Sequence, residues 1–220
     1  MIPGGGRFLV VGVTGGLSSG KSALCRMLGE RGAVLIDADA VSREVTGAAS
    51  PVLSDLVDRF GADILRPSGE LDRKALGKLA FSSPEAVRDL NKLTHPAILG
   101  AIRDKLEGMA ESGYDGIVLV EAALIVEEAA SRELFDAIVA VVCADSTRLS
   151  RLSRLPKGKA AELLERTRSQ LPDGQKAGGA DYVVHNDGDL KELEFKADEL
   201  WRKLVGKKAS AGRGDAKHTE

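Results

Sequence analysis

Gly15 and Gly20 flank four residues and are followed at once by Lys21 and Ser22, giving Gly15-Gly16-Leu17-Ser18-Ser19-Gly20-Lys21-Ser22. This is the G-x-x-x-x-G-K-[ST] spacing, and each residue type in it has a use in binding phosphate. The glycines let the backbone curl until several N–H groups face one anion. A helix that opens at the end of the loop adds its free N–H groups and the positive end of its dipole. Lys21 is long enough to reach the β- and γ-phosphates of a nucleoside triphosphate, and the Ser22 hydroxyl can ligate Mg²⁺. Two further acids qualify by position. Asp37 and Asp39 follow the apolar run Ala33–Ile36, at the carboxyl end of a second strand. Acids at such a tip reach the crevice where open α/β sheets bind ligands, within range of a hydroxyl attacking a γ-phosphate. Asp39 also reads as the N-cap of a helix over 40–46.

The loop has the flanks it requires. The apolar run Phe8–Val13 predicts a strand before it, and Leu24, Met27 and Leu28 predict a helical face after it, stopped by Gly32. From Ser50 to Gly113 the pattern is helical. Leu53, Leu56, Val57 and Phe60 form one stripe closed by Gly61; Asp72 opens another helix; Val87, Leu90 and Leu93 form a third stripe, which His95-Pro96 is expected to interrupt. His95 has two readings, a satisfied helix-junction histidine or a catalyst. Gly116–Val120 is the next strand, and the Glu121 at its tip is either a Mg²⁺-side carboxylate or a helix cap. Ala137–Cys143 is the fourth strand, and Asp145-Ser146 is expected to cap a helix carrying Arg148, Arg151 and Arg154. With Lys157, Lys159, Arg166 and Arg168 these make either a solvated face or a basic lid over the phosphates. Asp181–Val184 is the last strand. Leu190, Leu193, Ala197, Leu200 and Leu204 then mark a core-facing helix, with Trp201 packed beside it.

The expected fold is therefore α/β of the P-loop NTPase type: a five-stranded parallel sheet with helices on both faces, a helical substrate-binding insertion and a basic lid. The core takes residues 8–47, 114–147 and 180–206, the insertion 48–113, the lid 148–179, and an unstructured tail 207–220. With 31 Lys and Arg against 33 Asp and Glu, the chain has no electrostatic footprint for nucleic acid or an anionic membrane. It has no run of about 18 apolar residues, and Met1–Gly6 is too short and glycine-rich for a secretory signal. Cys25 and Cys143 are the only cysteines and read as small core residues in a reducing compartment. The expectation is a cytoplasmic protein, monomeric or weakly homo-oligomeric.

These features point to a small-molecule kinase and leave its acceptor open. A P-loop switch protein would need Asp-x-x-Gly after a strand and an Asn-Lys-x-Asp base reader. Asp58-Arg-Phe-Gly61 lies in a helical pattern, and Asn91-Lys-Leu-Thr94 lacks the final acid.

Over residues 8–204 the chain resembles the dephospho-CoA kinase family. The resemblance rests on Thr14–Ser22, Ile36–Val45, Phe60–Leu65, Gly69–Arg73, Leu93–Ile98 and Ala180–Val184 with Asn186. It implies transfer of the γ-phosphoryl of ATP to the ribose 3′-hydroxyl of dephospho-CoA. On it, residues 15–23 (Gly15 through Ala23) and Arg151 bind ATP, and Ser22 with Mg²⁺ bridges the triphosphate. Asp39 accepts the hydroxyl proton, with Asp37 supporting it or the metal. Arg43, Arg73 and His95 line the dephospho-CoA side. The chain departs from the family in three places, one being Pro156-Lys-Gly-Lys159, which lacks the usual Asp-Gly turn. Ala123-Leu-Ile-Val-Glu127 stands where many members have Pro-Leu-Leu-Phe-Glu, and the family's Arg-Leu-x-x-Arg falls on Arg151 and Leu155, so its second arginine is missing.

Overall fold

The structure is a computed structural model that describes residues 8–122, 129–154 and 172–214. Its centre is a five-stranded sheet in the order β2-β3-β1-β4-β5, and every pairing is parallel. The strands are β1 (Leu9–Gly15), β2 (Val34–Asp37), β3 (Ile117–Glu121), β4 (Ala137–Val142) and β5 (Tyr182–His185). Every residue of β1 and β4 is buried. A parallel strand covered on both faces has no polar side to present, which is why these segments read as unbroken apolar runs. β2 and β5 are the edges. Leu35 is exposed, so β2 is half-open to solvent where the sequence predicts a buried strand.

Leu9, Val11 and Val13 of β1 turn to one face of the sheet. There they join a core with Leu24, Cys25 and Leu28 of α1 (Lys21–Glu30) and with Leu193, Ala197, Leu200 and Leu204 of the closing helix. Trp201 packs against this core, as expected. Val10, Val118, Val120, Ile138 and Ala140 point the other way and are buried as well, so both faces are covered. The chain leaves β1 towards β2 on one side and leaves β4 towards β5 on the other. The carboxyl ends of β1 and β4 thus flank the switch point where such sheets take their ligands.

The chain divides into two compact units, Met1–Asp37 with Lys105–Glu220, and Ala38–Asp104. The sequence places the helical insertion at 48–113; the units part ten residues earlier, where β2 runs straight into α2 (Ala38–Val45). The helical unit also holds α3 (Pro51–Phe60), α4 (Arg73–Ala80) and most of α5 (Pro84–Glu111). It has a core of its own, in which Leu53, Leu56, Ile64, Leu71 and Leu76 meet Leu90 and Leu93. Side chains cap its helices: Ser50 Oγ accepts from Leu53 N–H at 3.1 Å, and Asp72 Oδ1 accepts from Lys74 and Ala75 N–H.

Three expectations about helices need correcting. His95-Pro96 does not interrupt α5, which runs unbroken from Pro84 to Glu111 with Pro96 inside it. A proline there removes one N–H and crowds the preceding turn, but the stripe continues through Ile98, Ile102 and Leu106, all buried, and keeps the chain helical. Asp145 and Ser146 do not cap α6 (Asp145–Ser153); Ala144 is the N-cap and has no side-chain cap to offer. The acid that serves it is distant in sequence, Asp187 Oδ1 accepting from Ala144 N–H at 2.7 Å. After α7 (Asp173–Gly178), the closing helix α8 spans Leu190–Gly214, so it runs on past residue 207, where the sequence predicts a tail. Lysines and alanines are good helix formers even without an apolar period.

The Asp187–Ala144 bond carries a pH signature. That backbone hydrogen bond is the main cause holding the Asp187 carboxyl below its ordinary value. A carboxylate lowered on folding contributes stability that is full above the ordinary carboxylate range and is lost as pH falls through the depressed value. Asp187→Asn is expected to flatten the acid limb of the melting temperature against pH, while the wild type falls more steeply as pH drops below the ordinary carboxylate range and through the depressed value; parallel curves would contradict this.

Candidate active site

α1 differs from the other helices in what lies at its N-terminus. Its N-cap is Gly20, at φ 97°, and no side chain caps the first turn and no acid sits in it. The first N–H groups of a helix have no partner within it, and here they face the end of a glycine-rich loop. A site so built favours an anion, worth about 0.3–1 kcal/mol per charge from the helix dipole alone when exposed and more when partly buried.

The loop is tightly packed at its glycines. A Cβ on Gly15 would lie 2.5 Å from the Val141 carbonyl oxygen of β4 and 2.7 Å from Ser19 Oγ. One on Gly16 would strike the Arg148 guanidinium and come within 2.6 Å of Asp173 Oδ1, and one on Gly20 would strike Asn186 Nδ2. Ser19 Oγ is fully buried and has no hydrogen-bond partner among the described residues.

Donors from two other elements hold the outward carbonyls of the loop. Arg148 Nη1 donates to Leu17 O at 2.7 Å, and its Nη2 is bonded to Asp173 Oδ2. Arg151 Nη1 donates to Ser18 O at 3.1 Å and to Ser19 O at 3.3 Å. Asn186, buried in the turn after β5, donates from Nδ2 to Ser19 O at 2.6 Å and accepts from Arg151 Nη2 at 3.3 Å. Among the described residues, these side-chain donors all meet carbonyls of the loop and none meets its amides.

At the mouth of the loop, Glu121 lies against both residues that end the motif. Its Oε1 accepts from Ser22 Oγ at 2.6 Å and lies 3.2 Å from Lys21 Nζ, with the Lys21 and Glu121 side chains 17% and 13% exposed. Asp37 is in register with Glu121 across β2 and β3, so the two acids end neighbouring strands. Cys25, one turn along α1, is fully buried; burial first, then the Glu121 charge, pushes its thiol well above its ordinary value and keeps it protonated. Cys143 is likewise buried and raised by burial, and both cysteines are free thiols, as expected of core residues. Among the described residues no group of three or more His, Cys, Asp or Glu forms a metal cage. Mg²⁺ at phosphoryl-transfer sites takes one or two carboxylates with substrate phosphates and water, and Ser22 and Glu121 fit that modest demand.

The remaining predicted residues lie in the helical unit. Asp39 is exposed in the first turn of α2, inside a helix that begins at Ala38 rather than capping one that begins at 40. Arg43 occupies the last turn of that helix. Arg73 opens α4 and donates to Thr46 Oγ1 at 2.7 Å, tying α4 to the end of α2. His95 is buried within α5. Ala123–Glu127 and Leu155, with Lys157, Lys159, Arg166 and Arg168, lie outside the described residues. One contributor escapes sequence reasoning: Asp173 follows a proline with no motif around it. Arg148 is legible only as one member of the basic run, and Asn186 only as part of the resemblance.

A family model described as dephospho-CoA kinase matches residues 9–192. A dephospho-CoA kinase of Leifsonia xyli is 37% identical over 197 residues, 90% of this chain and 99% of that one. Another, of Anaeromyxobacter dehalogenans, is 40% identical over 210 residues, covering 93% and 94%. Among solved structures, TT1252 of Thermus thermophilus superposes with a TM-score of 0.72 at 26% identity, over 89% of this chain and 97% of that one. With its phosphate loop, the acid that loop engages and a match over most of its length, this chain belongs to the dephospho-CoA kinase family.

Proposed function

We propose that this kinase transfers the γ-phosphoryl group of ATP to the ribose 3′-hydroxyl of dephospho-CoA, giving coenzyme A and ADP in the cytoplasm. The observation that carries the reading is the contact of Lys21 and Ser22 with Glu121 beneath an uncapped helix, in a chain of this family. The 3′-oxygen attacks the γ-phosphorus, the bond to the β-phosphate oxygen of the departing ADP breaks, and the hydroxyl proton passes to the carboxylate of Asp39.

The residues divide the work. The amides of residues 15–23 and the Lys21 ammonium spread over the triphosphate, which matters most because phosphoryl transfer depends on positioning and charge stabilisation. Bound Mg²⁺ would neutralise charge on the phosphate oxygens, with Ser22 and Glu121 as its protein-side oxygen donors. Asp37, which ends the strand before Asp39, supports the base or the metal. Arg151 adds positive charge beside the loop. Arg43, Arg73 and His95 serve the dephospho-CoA side within the helical unit.

An acceptor panel tests the substrate. ADP release is expected with ATP and dephospho-CoA, and none with nucleoside monophosphates, pantothenate or shikimate; turnover on any of those without dephospho-CoA would refute the assignment. Asp39→Asn tests the base. Its kcat is expected to drop about 10²–10⁴-fold, the usual share of a general base, with ATP affinity kept. Near-normal turnover would remove Asp39 from the reaction.

A further inference from the structure

The loop holds a conformation that its own sequence disfavours. Residues Gly16–Ser19 form a turn closed by Ser19 N–H donating to Gly16 O at 3.2 Å. Ser18, third in that turn, has φ 57°, and it and Ala49 are the only non-glycine residues among those described with positive φ. A positive φ at the third position alone is the mark of a type II turn, which prefers glycine or asparagine there. Types I and II differ in the rotation of the central peptide, here the one joining Leu17 to Ser18. Something must therefore hold that peptide in the less favoured orientation.

Arg148 meets the Leu17 carbonyl, the oxygen of that same peptide, at 2.7 Å. The guanidinium is fixed in turn by Asp173 of α7, and both side chains are largely buried, 16% and 20% exposed. The pair lies on Gly16, where an added Cβ would meet both side chains. In a trans peptide C=O and N–H point opposite ways, so a carbonyl drawn to Arg148 turns the Ser18 N–H away from it. We propose that Arg148, held by Asp173, is a positioning residue that locks the Leu17–Ser18 peptide so that the Ser18 N–H faces the bound phosphates. This rests on reading Gly15–Ser22 as the triphosphate site and adds to that reading a residue that acts through the loop rather than on ATP.

Calorimetric titration of the full chain with ATP and MgCl₂, alongside the KM for ATP, tests it. Arg148→Met is expected to weaken ATP about 10- to 100-fold, the range for losing a hydrogen bond to a charged group. Arg148→Lys falls between, since an ammonium lacks the fork that serves two partners at once. Adding Ser18→Gly to Arg148→Met is expected to recover most of the loss, because glycine takes the third position of a type II turn unaided. A merely structural arginine would show no such recovery. Unchanged ATP affinity in Arg148→Met, or a loss that Ser18→Gly leaves in place, overturns the proposal. Should Arg148→Met fail to fold, Asp173→Asn with and without Ser18→Gly makes the same comparison. A wild-type chain that binds ATP but yields no coenzyme A would refute the acceptor assignment and leave this titration decisive. One that binds no ATP would overturn both.

Discussion

A single carboxylate oxygen organises the reaction end of this molecule. Glu121 Oε1 receives both the Ser22 hydroxyl and the Lys21 ammonium, two residues consecutive in sequence and 99 or more positions away from it. The parallel register makes this possible. β3 lies beside β1, Val13 opposite Glu121, so the acid ends its strand beside the point where the loop leaves its own. Shared with two donors, the carboxylate keeps the lysine at the mouth of the loop instead of in solvent, where a long side chain would have to be ordered again at each binding event.

The same economy runs along the loop. Its amide groups are left unengaged by side-chain caps, while Arg148, Arg151 and Asn186 take its carbonyls. Polarity is thereby sorted, with donors turned to one side and acceptors satisfied on the other. The glycines follow from this crowding. Gly15 lies against the backbone of β4, Gly16 beneath an ion pair and Gly20 against an amide, so the motif records close approach as much as backbone freedom. Buried polar networks of this kind favour one arrangement over its neighbours.

The sequence made legible what local chemistry dictates. Parallel strands buried on both faces appear as apolar runs, and a phosphate loop needs particular residues at fixed spacing, so sheet, loop and order were readable. What depended on distant partners was not. Glu121 carries two readings in sequence, and no spacing there says that Ser22 will lie against it. Arg148 and Arg151 share a periodicity with any solvated face, and nothing in the spacing says which carbonyl each will meet. The cap of α6 comes from Asp187, 43 residues on, where an adjacent acid was the natural expectation. Pro96 read as a break because the flanking stripe, which holds α5 together, weighs less in sequence than one proline. Asp39, proposed as the base, is legible by its place beyond a strand tip.

The most direct measurement is calorimetric binding of ATP to Glu121→Gln, with and without Mg²⁺. If Glu121 is both the metal-side oxygen donor and the holder of Lys21, the variant should bind metal-free ATP at least as well as the wild type, its lysine released from the carboxylate. It should also lose the gain in affinity that Mg²⁺ confers. A Mg²⁺-dependent gain equal to that of the wild type would contradict the account.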